Sequence, residues 1–393
     1  MLDLKLLVLL LAAIAIGWWL GRLESRRHAR HQHRSSPLSR DYFVGLNYLL
    51  NEQPDRAIET FVQALEVNSD TIETHIALGN LFRSRGEADR AVKIHQNLLA
   101  RPSLTALQSD QVQLELSRDF LHLGLLDRAE RLLLGLLRAS PDSARLKPAK
   151  LLLVDLYERE REWAKALEVA QPQLIHEEAD IRRAAAHWLC ELAQQDRHTA
   201  SPALARKRLR QALSIDDRCV RANWLIAELE REAGNYKAEI RTLQRLARQD
   251  HDFTPIVLEP LRDAYLKLED EKGLVRCLNQ WVSEAPHIST VIMLARLTEQ
   301  HEGINAAANV ISNQLAATPS LRGVDYLMDL YIAEAGPEQQ HFSLLKRHTG
   351  KLLESRPRFR CHRCGFEGAH LHWQCPRCRS WGVTKPITGL EGE

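Results

Sequence analysis

The 393-residue chain predicts an all-α fold: a solenoid of stacked helix pairs, with an N-terminal transmembrane helix and a small C-terminal four-cysteine knuckle module. Three observations carry that prediction. An apolar run followed by arginines opens the chain, small residues recur at an offset of 34 through helical sequence, and two C-x2-C pairs stand near the end.

Leu6 to Leu20 carry no charge and are mostly Leu, Ala and Ile. With Leu2, Leu4 and a snorkelling Lys5 the segment reaches roughly 18 to 20 residues, enough for a thin bilayer. Trp18 and Trp19 stand where an interfacial aromatic anchor lies. A secretory signal carries its positive charges before the apolar run, whereas here Arg22, Arg26, Arg27, Arg30 and Arg34 follow it. The positive-inside rule then predicts a single pass with a periplasmic N-terminus and the bulk of the protein in the cytoplasm. Gly17 and Gly21, four residues apart, permit close packing against another transmembrane helix. His28, His31 and His33 read as part of a solvated basic face near anionic headgroups.

Between anchor and knuckles the periodicity is helical, with almost no strand signal. Gly45 and Gly79 are 34 apart, as are Ala57 and Ala91, which is the tetratricopeptide period. Small residues recur there because the two antiparallel helices of each repeat approach most closely at those positions. Asn51 to Asp55 and Arg85 to Asp89 are the polar turns between helices. Later copies are less regular: Leu125 to Glu130, then Tyr157, Trp163 and Ala166, then Ala205 to Ala212 after an insertion, then Gly234 and Ala238. Degenerate units around Tyr265, Gly273 and Cys277, and around Ala295, Gly303 and Ala307, bring the total to about eight or nine repeats.

Such an array presents a concave surface lined by the first helix of each repeat, and Glu73, Ile76, Asn80 and Arg83 are the candidate partner contacts there. Arg83 with Asn80 is expected to hold a partner carboxylate, with no role in stability. Lys and Arg number 53 against 51 Asp and Glu, a balance that argues against a dedicated nucleic-acid surface, although arginines cluster from Arg356 to Arg379. Phosphate-loop, G-x-S-x-G and H-E-x-x-H patterns are absent, so an enzyme is not expected.

Cys361-x2-Cys364 and Cys375-x2-Cys378, ten residues apart, form the strongest chemical signal in the chain. Four thiolates select one tetrahedral zinc or iron over hard cations, and a closed S4 set has no open position for water or substrate. Phe366, Trp373 and Trp381 are the expected core of the module or its docking face against the last repeats. Cys190, Cys219 and Cys277 read as small buried hydrophobes, and seven cysteines in a chain of this length suit a reducing compartment.

The arginine-flanked anchor, S39-R-D-Y-F-V-G-L-N-Y-L-L-N-E-Q-P-D-R-A, H75-I-A-L-G-N-L-F-R-S-R-G-E-A-D-R-A and C361-H-R-C364-G-F to K385-P-I-T-G-L390 together resemble the lipopolysaccharide assembly protein B family (LapB, YciM) over essentially the whole chain. The resemblance implies a rubredoxin-like or zinc-ribbon module whose metal ligands are Cys361, Cys364, Cys375 and Cys378. It also implies an inner-membrane protein that helps the FtsH protease degrade LpxC, the deacetylase committed to lipid A synthesis. LapC (YejM) is its implied restraining partner and lipopolysaccharide transport proteins are further ones; self-association stays open. The ten-residue interval is shorter than an electron-transfer rubredoxin domain needs around its iron.

The expected organisation is an anchor over 1–21, a basic linker over 22–37, the repeat array over 38–350, the metal module over 356–385 with Trp373 as a further candidate partner contact, and a tail over 386–393. A membrane-anchored adaptor is the leading functional class. An electron-transfer protein with a four-cysteine iron centre is the alternative, distinguished by whether the metal cycles.

Overall fold

The computed structural model describes residues 72–102, 104–139, 143–198, 201–334, 339–390 and 392, with isolated positions between 44 and 60. The expected anchor, its Gly17 and Gly21, the basic linker and most of the first repeat lie outside the described residues. Among those described, no helix is long and apolar enough to cross a membrane. The chain forms two compact units, up to Ala149 and from Lys150 onward.

In the first unit, α1 (Ile72–Ser84) and α2 (Ala88–Leu99) form a repeat, followed by α3 (Ala106–His122) and α4 (Leu126–Ala139). Gly86 and Gly124 take positive φ, 84° and 72°, and turn the chain between the helices of each pair. Thr105 and Gln108 form a capping box that starts α3. Gly79 marks the close approach expected of it: a Cβ there would lie 2.4 Å from the His95 ring atoms Cε1 and Nε2. Leu78, Phe82 and Ala91 form one core cluster, and Ile72, Ile76, Leu98 and Val112 another.

Two expectations about the concave surface are corrected here. Ile76 is buried, because three residues before Gly79 it shares the packing face rather than the open one. Arg83 is already engaged, donating to Asp119 Oδ1 at 2.7 Å, Glu115 Oε2 at 2.8 Å and Asn80 Oδ1 at 2.8 Å. Asp119 is fully buried, and its other oxygen lies 2.5 Å from His95 Nδ1. Arg83 and Asn80 therefore belong to a polar network that joins one repeat to the next. Of the four candidates Glu73 remains exposed.

The second unit opens in α5 (Ser143–Glu160) and continues through α6 (Trp163–Ala170), α7 (Gln173–Glu177), α8 (Ala179–His198), α9 (Pro202–Ile215), α10 (Val220–Glu232) and α11 (Tyr236–Gln249). After a 3-10 turn at His251–Phe253 come α12 (Thr254–Lys267), α13 (Glu271–Glu284), α14 (Ile288–Glu302), α15 (Ile304–Ala317), α16 (Leu321–Glu334) and α17 (Gln339–Glu354). One core cluster of this unit runs from Val220 to Leu297 and includes the fully buried Val257, Leu261, Leu274 and Leu278. Ala166, Ala212 and Ala307 are fully buried, as the small positions of a repeat require.

A three-stranded antiparallel sheet ends the chain, in the order β2 (Glu367–Gly368), β1 (Phe359–Cys361), β3 (Thr384–Pro386). Phe359 pairs with Gly368 on one side and Pro386 on the other. This sheet is the frame for the knuckles.

Candidate metal centre and its docking face

Each C-x2-C pair sits in a tight turn closed by the same backbone bonds. In the first, Gly365 N donates to Cys361 O at 2.9 Å and Cys361 N to Phe366 O at 2.7 Å. In the second, Arg379 N donates to Cys375 O at 2.8 Å and Cys375 N to Ser380 O at 2.9 Å. Both turns need a left-handed residue after the second cysteine: Gly365 has φ 71° and Arg379 φ 58°. A side chain at that angle costs about 1 to 2 kcal/mol. The Arg379 Nη1 donates to Asp155 Oδ1 at 2.8 Å, a charged contact that offsets part of that cost.

Cys361 and Cys378 place their sulfurs 3.8 Å apart, Cys364 and Cys375 theirs 3.6 Å, and all four lie within 4.8 Å of one another. A tetrahedron with metal–sulfur bonds of about 2.3 Å has edges of about 3.8 Å, whereas a disulfide needs about 2.0 Å. The donor set therefore fits one zinc or iron ion. Backbone N–H groups of Arg377 and Cys378 point at the Cys375 sulfur, and Ser380 donates to Cys378. Such bonds orient the thiolates and disperse their charge.

The module does not pack on the last repeats alone, as the sequence suggested; its aromatic face lies against helices near the start of the second unit. Trp381 is buried, stacked on His187 (centroids 5.2 Å apart, 24°) and edge-on to Trp163 at 5.7 Å. Its Nε1 donates to Glu158 Oε1 at 2.5 Å, the same oxygen that accepts Trp188 Nε1 at 2.7 Å. Trp373 stacks on Phe253 at 5.9 Å with Arg221 over its ring at 6.0 Å, so this candidate partner contact is largely spent within the chain. Gly382 has φ 64°, and a Cβ on it would come within 2.8 Å of His187 Nε2. Phe366 faces His372 inside the module.

Charge follows the same seam. Arg379 pairs with Asp155, Arg363 with Asp180 at 3.0 Å, and Lys385 with Asp250 at 2.7 Å and Asp252 at 2.9 Å. Part of the arginine cluster that raised a nucleic-acid option is thus used to dock the module. Burial pushes the His187 imidazole well below its ordinary range, with Arg221 and Arg183 adding to the effect, so the ring stacks on Trp381 as a neutral group. Burial also raises the Glu158 carboxyl, against the two indole bonds and Arg379. Glu158, Trp163, His187 and Asp155 carried no local sequence signal for this role.

Residues 359–386 match the rubredoxin metal binding domain model, and residues 74–107 and 192–252 match tetratricopeptide repeat models. Lipopolysaccharide assembly protein B of Escherichia coli K12 is 36% identical over 398 residues, covering 100% of both chains. The chain belongs to the lipopolysaccharide assembly protein B family. The Haemophilus influenzae protein of that name is 34% identical over 401 residues, again covering 100% of both. In this member of the lipopolysaccharide assembly protein B family, then, a helical repeat array carries a rubredoxin-like four-cysteine module docked by its tryptophans.

Proposed function

We propose that the chain is a membrane-anchored cytoplasmic adaptor in lipopolysaccharide assembly, promoting degradation of LpxC by FtsH under the restraint of LapC (YejM), and not an enzyme. The observation that supports this reading best is the closed four-sulfur set clasped onto a repeat array, in a chain similar along its whole length to lipopolysaccharide assembly protein B. When bound, zinc or iron supplies a tetrahedral cross-link with no free coordination position. The chain's own residues do the rest: Trp373 and Trp381 seat the module, and the repeats offer helical surface to clients. Arginines that follow the apolar run Leu6 to Leu20 support a single inner-membrane span with the array in the cytoplasm. Anchoring raises the effective concentration of adaptor and client at the protease.

Removal of residues 2–20 tests this. The shortened chain is expected to be soluble, to bind LpxC in solution and to leave LpxC long-lived in cells. Normal LpxC turnover by the soluble form would refute the need for an anchor.

A further inference from the structure

Cys190 and Cys219, which the sequence presents as two unrelated small hydrophobes, meet in the fold. Cys190 stands within α8 and Cys219 is the residue that opens α10, yet their sulfurs lie 3.9 Å apart. Among the described residues no third metal-ligating side chain joins them, unlike the four knuckle sulfurs, so the pair is a dithiol and not a second metal centre. A disulfide brings its sulfurs to about 2.0 Å, so the bond needs these two side chains to close by about 2 Å.

The two thiols are not equivalent. Cys219 lines a cavity of about 530 Å³ between α8, the start of α10 and the metal module, whose wall also includes Arg182, His362, Trp373 and Gly382. Cys190 is fully buried and outside that lining. Hydrogen bonding with Cys190 lowers the Cys219 thiol, with Arg221 adding to the effect against burial and Asp216. Burial pushes the Cys190 thiol well up. The sulfur that a small reactant reaches is therefore also the one that ionises first, and the thiolate is the nucleophile.

We propose that Cys219 and Cys190 form an oxidation site for hydroperoxides, which convert the pair to a reversible disulfide beside the seat of the metal module. The Cys219 thiolate attacks the terminal peroxide oxygen, the O–O bond breaks, a sulfenic acid forms on Cys219 and an alcohol (water, from hydrogen peroxide) leaves. Cys190 Sγ then attacks the Cys219 sulfur, the S–S bond forms, and hydroxide departs with the Cys190 proton as water. Two thiols lose two electrons and two protons, and the peroxide gains them. The bond joins α10 to α8, where His187, one turn before Cys190, stacks on Trp381.

The test treats the full chain, loaded with zinc, with hydrogen peroxide, then denatures it, alkylates free thiols and maps the peptides by mass. The expected result is loss of alkylation at Cys190 and Cys219 together, with a Cys190–Cys219 linked peptide that a dithiol reductant reopens, while zinc stays bound and Cys277 stays alkylated. Cys190→Ala should leave the sulfenic acid on Cys219 to be trapped by dimedone, and Cys219→Ala should give no such adduct on Cys190. Both thiols still open to alkylation once peroxide has released the zinc would overturn the proposal in the native chain, without recourse to a variant. A dimedone adduct on Cys190 but none on Cys219 would overturn the assigned roles.

Discussion

Trp381 donates its indole N–H to Glu158 Oε1 across 223 residues of chain, and Trp188 donates to the same oxygen. One acceptor thus ties the metal module to the repeat on which it rests. Glu158→Ala leaves two indole groups without their acceptor and is expected to lower stability by about 2 to 4 kcal/mol. Urea unfolding followed by the near-ultraviolet signal of the tryptophans measures it.

Glu158→Gln should behave differently, because the amide oxygen can keep both bonds. Burial raises the Glu158 carboxyl above its ordinary value of 4.5, so the folded chain holds that proton more tightly than the unfolded one. Stability contributed by the protonated form is present below the ordinary value and is lost as pH rises through the raised one. The glutamine variant is therefore expected to match the native chain at low pH and to exceed it at neutral pH. A native chain that gains on the variant as pH rises would show the opposite linkage.

Serine at any of Cys361, Cys364, Cys375 or Cys378 is expected to release the metal and free the module from its seat. Metal binding contributes about 10 to 16 kcal/mol in small structural sites, more than three strands of two or three residues supply. Elemental analysis with limited proteolysis after Glu354 follows both events; a metal-free module that stays protected would contradict this.

In the first unit, Gly79→Ala drives a methyl into the His95 ring, which Asp119 holds in place. The expected loss is about 1 to 3 kcal/mol, as for other overpacked cores. Arg83→Ala strips the buried Asp119 of its guanidinium partner, leaves Glu115 with Arg118 alone, and is expected to cost about 2 to 4 kcal/mol. Thermal melting separates this from a surface role, in which the variant would melt like the native chain.

How much of this was legible depended on how far apart the partners lie. The four ligands stand in two short turns, so spacing alone disclosed them, and Gly79 announced its helix pair through the period. Arg83 was misread because its carboxylates are 32 and 36 residues on, in the next repeat. The same spacing returns where Arg197 pairs with Glu228 and Glu232, 31 and 35 residues on. A search for opposite charges one period apart is thus the signal that finds such pairs. No periodic rule links Trp381 to Glu158 or Lys385 to Asp252, since the return of the module onto earlier repeats is a single event that the array's own pattern does not encode.

We propose that a structural metal orders a module on an adaptor that delivers LpxC to FtsH. Degradation of LpxC by FtsH in vesicles, with and without the full chain loaded solely with zinc, tests it most directly, since zinc has no redox chemistry. Faster loss of LpxC with the zinc-loaded chain is the predicted result. An unchanged rate with zinc, restored when iron able to cycle takes its place, would contradict the account and favour electron transfer.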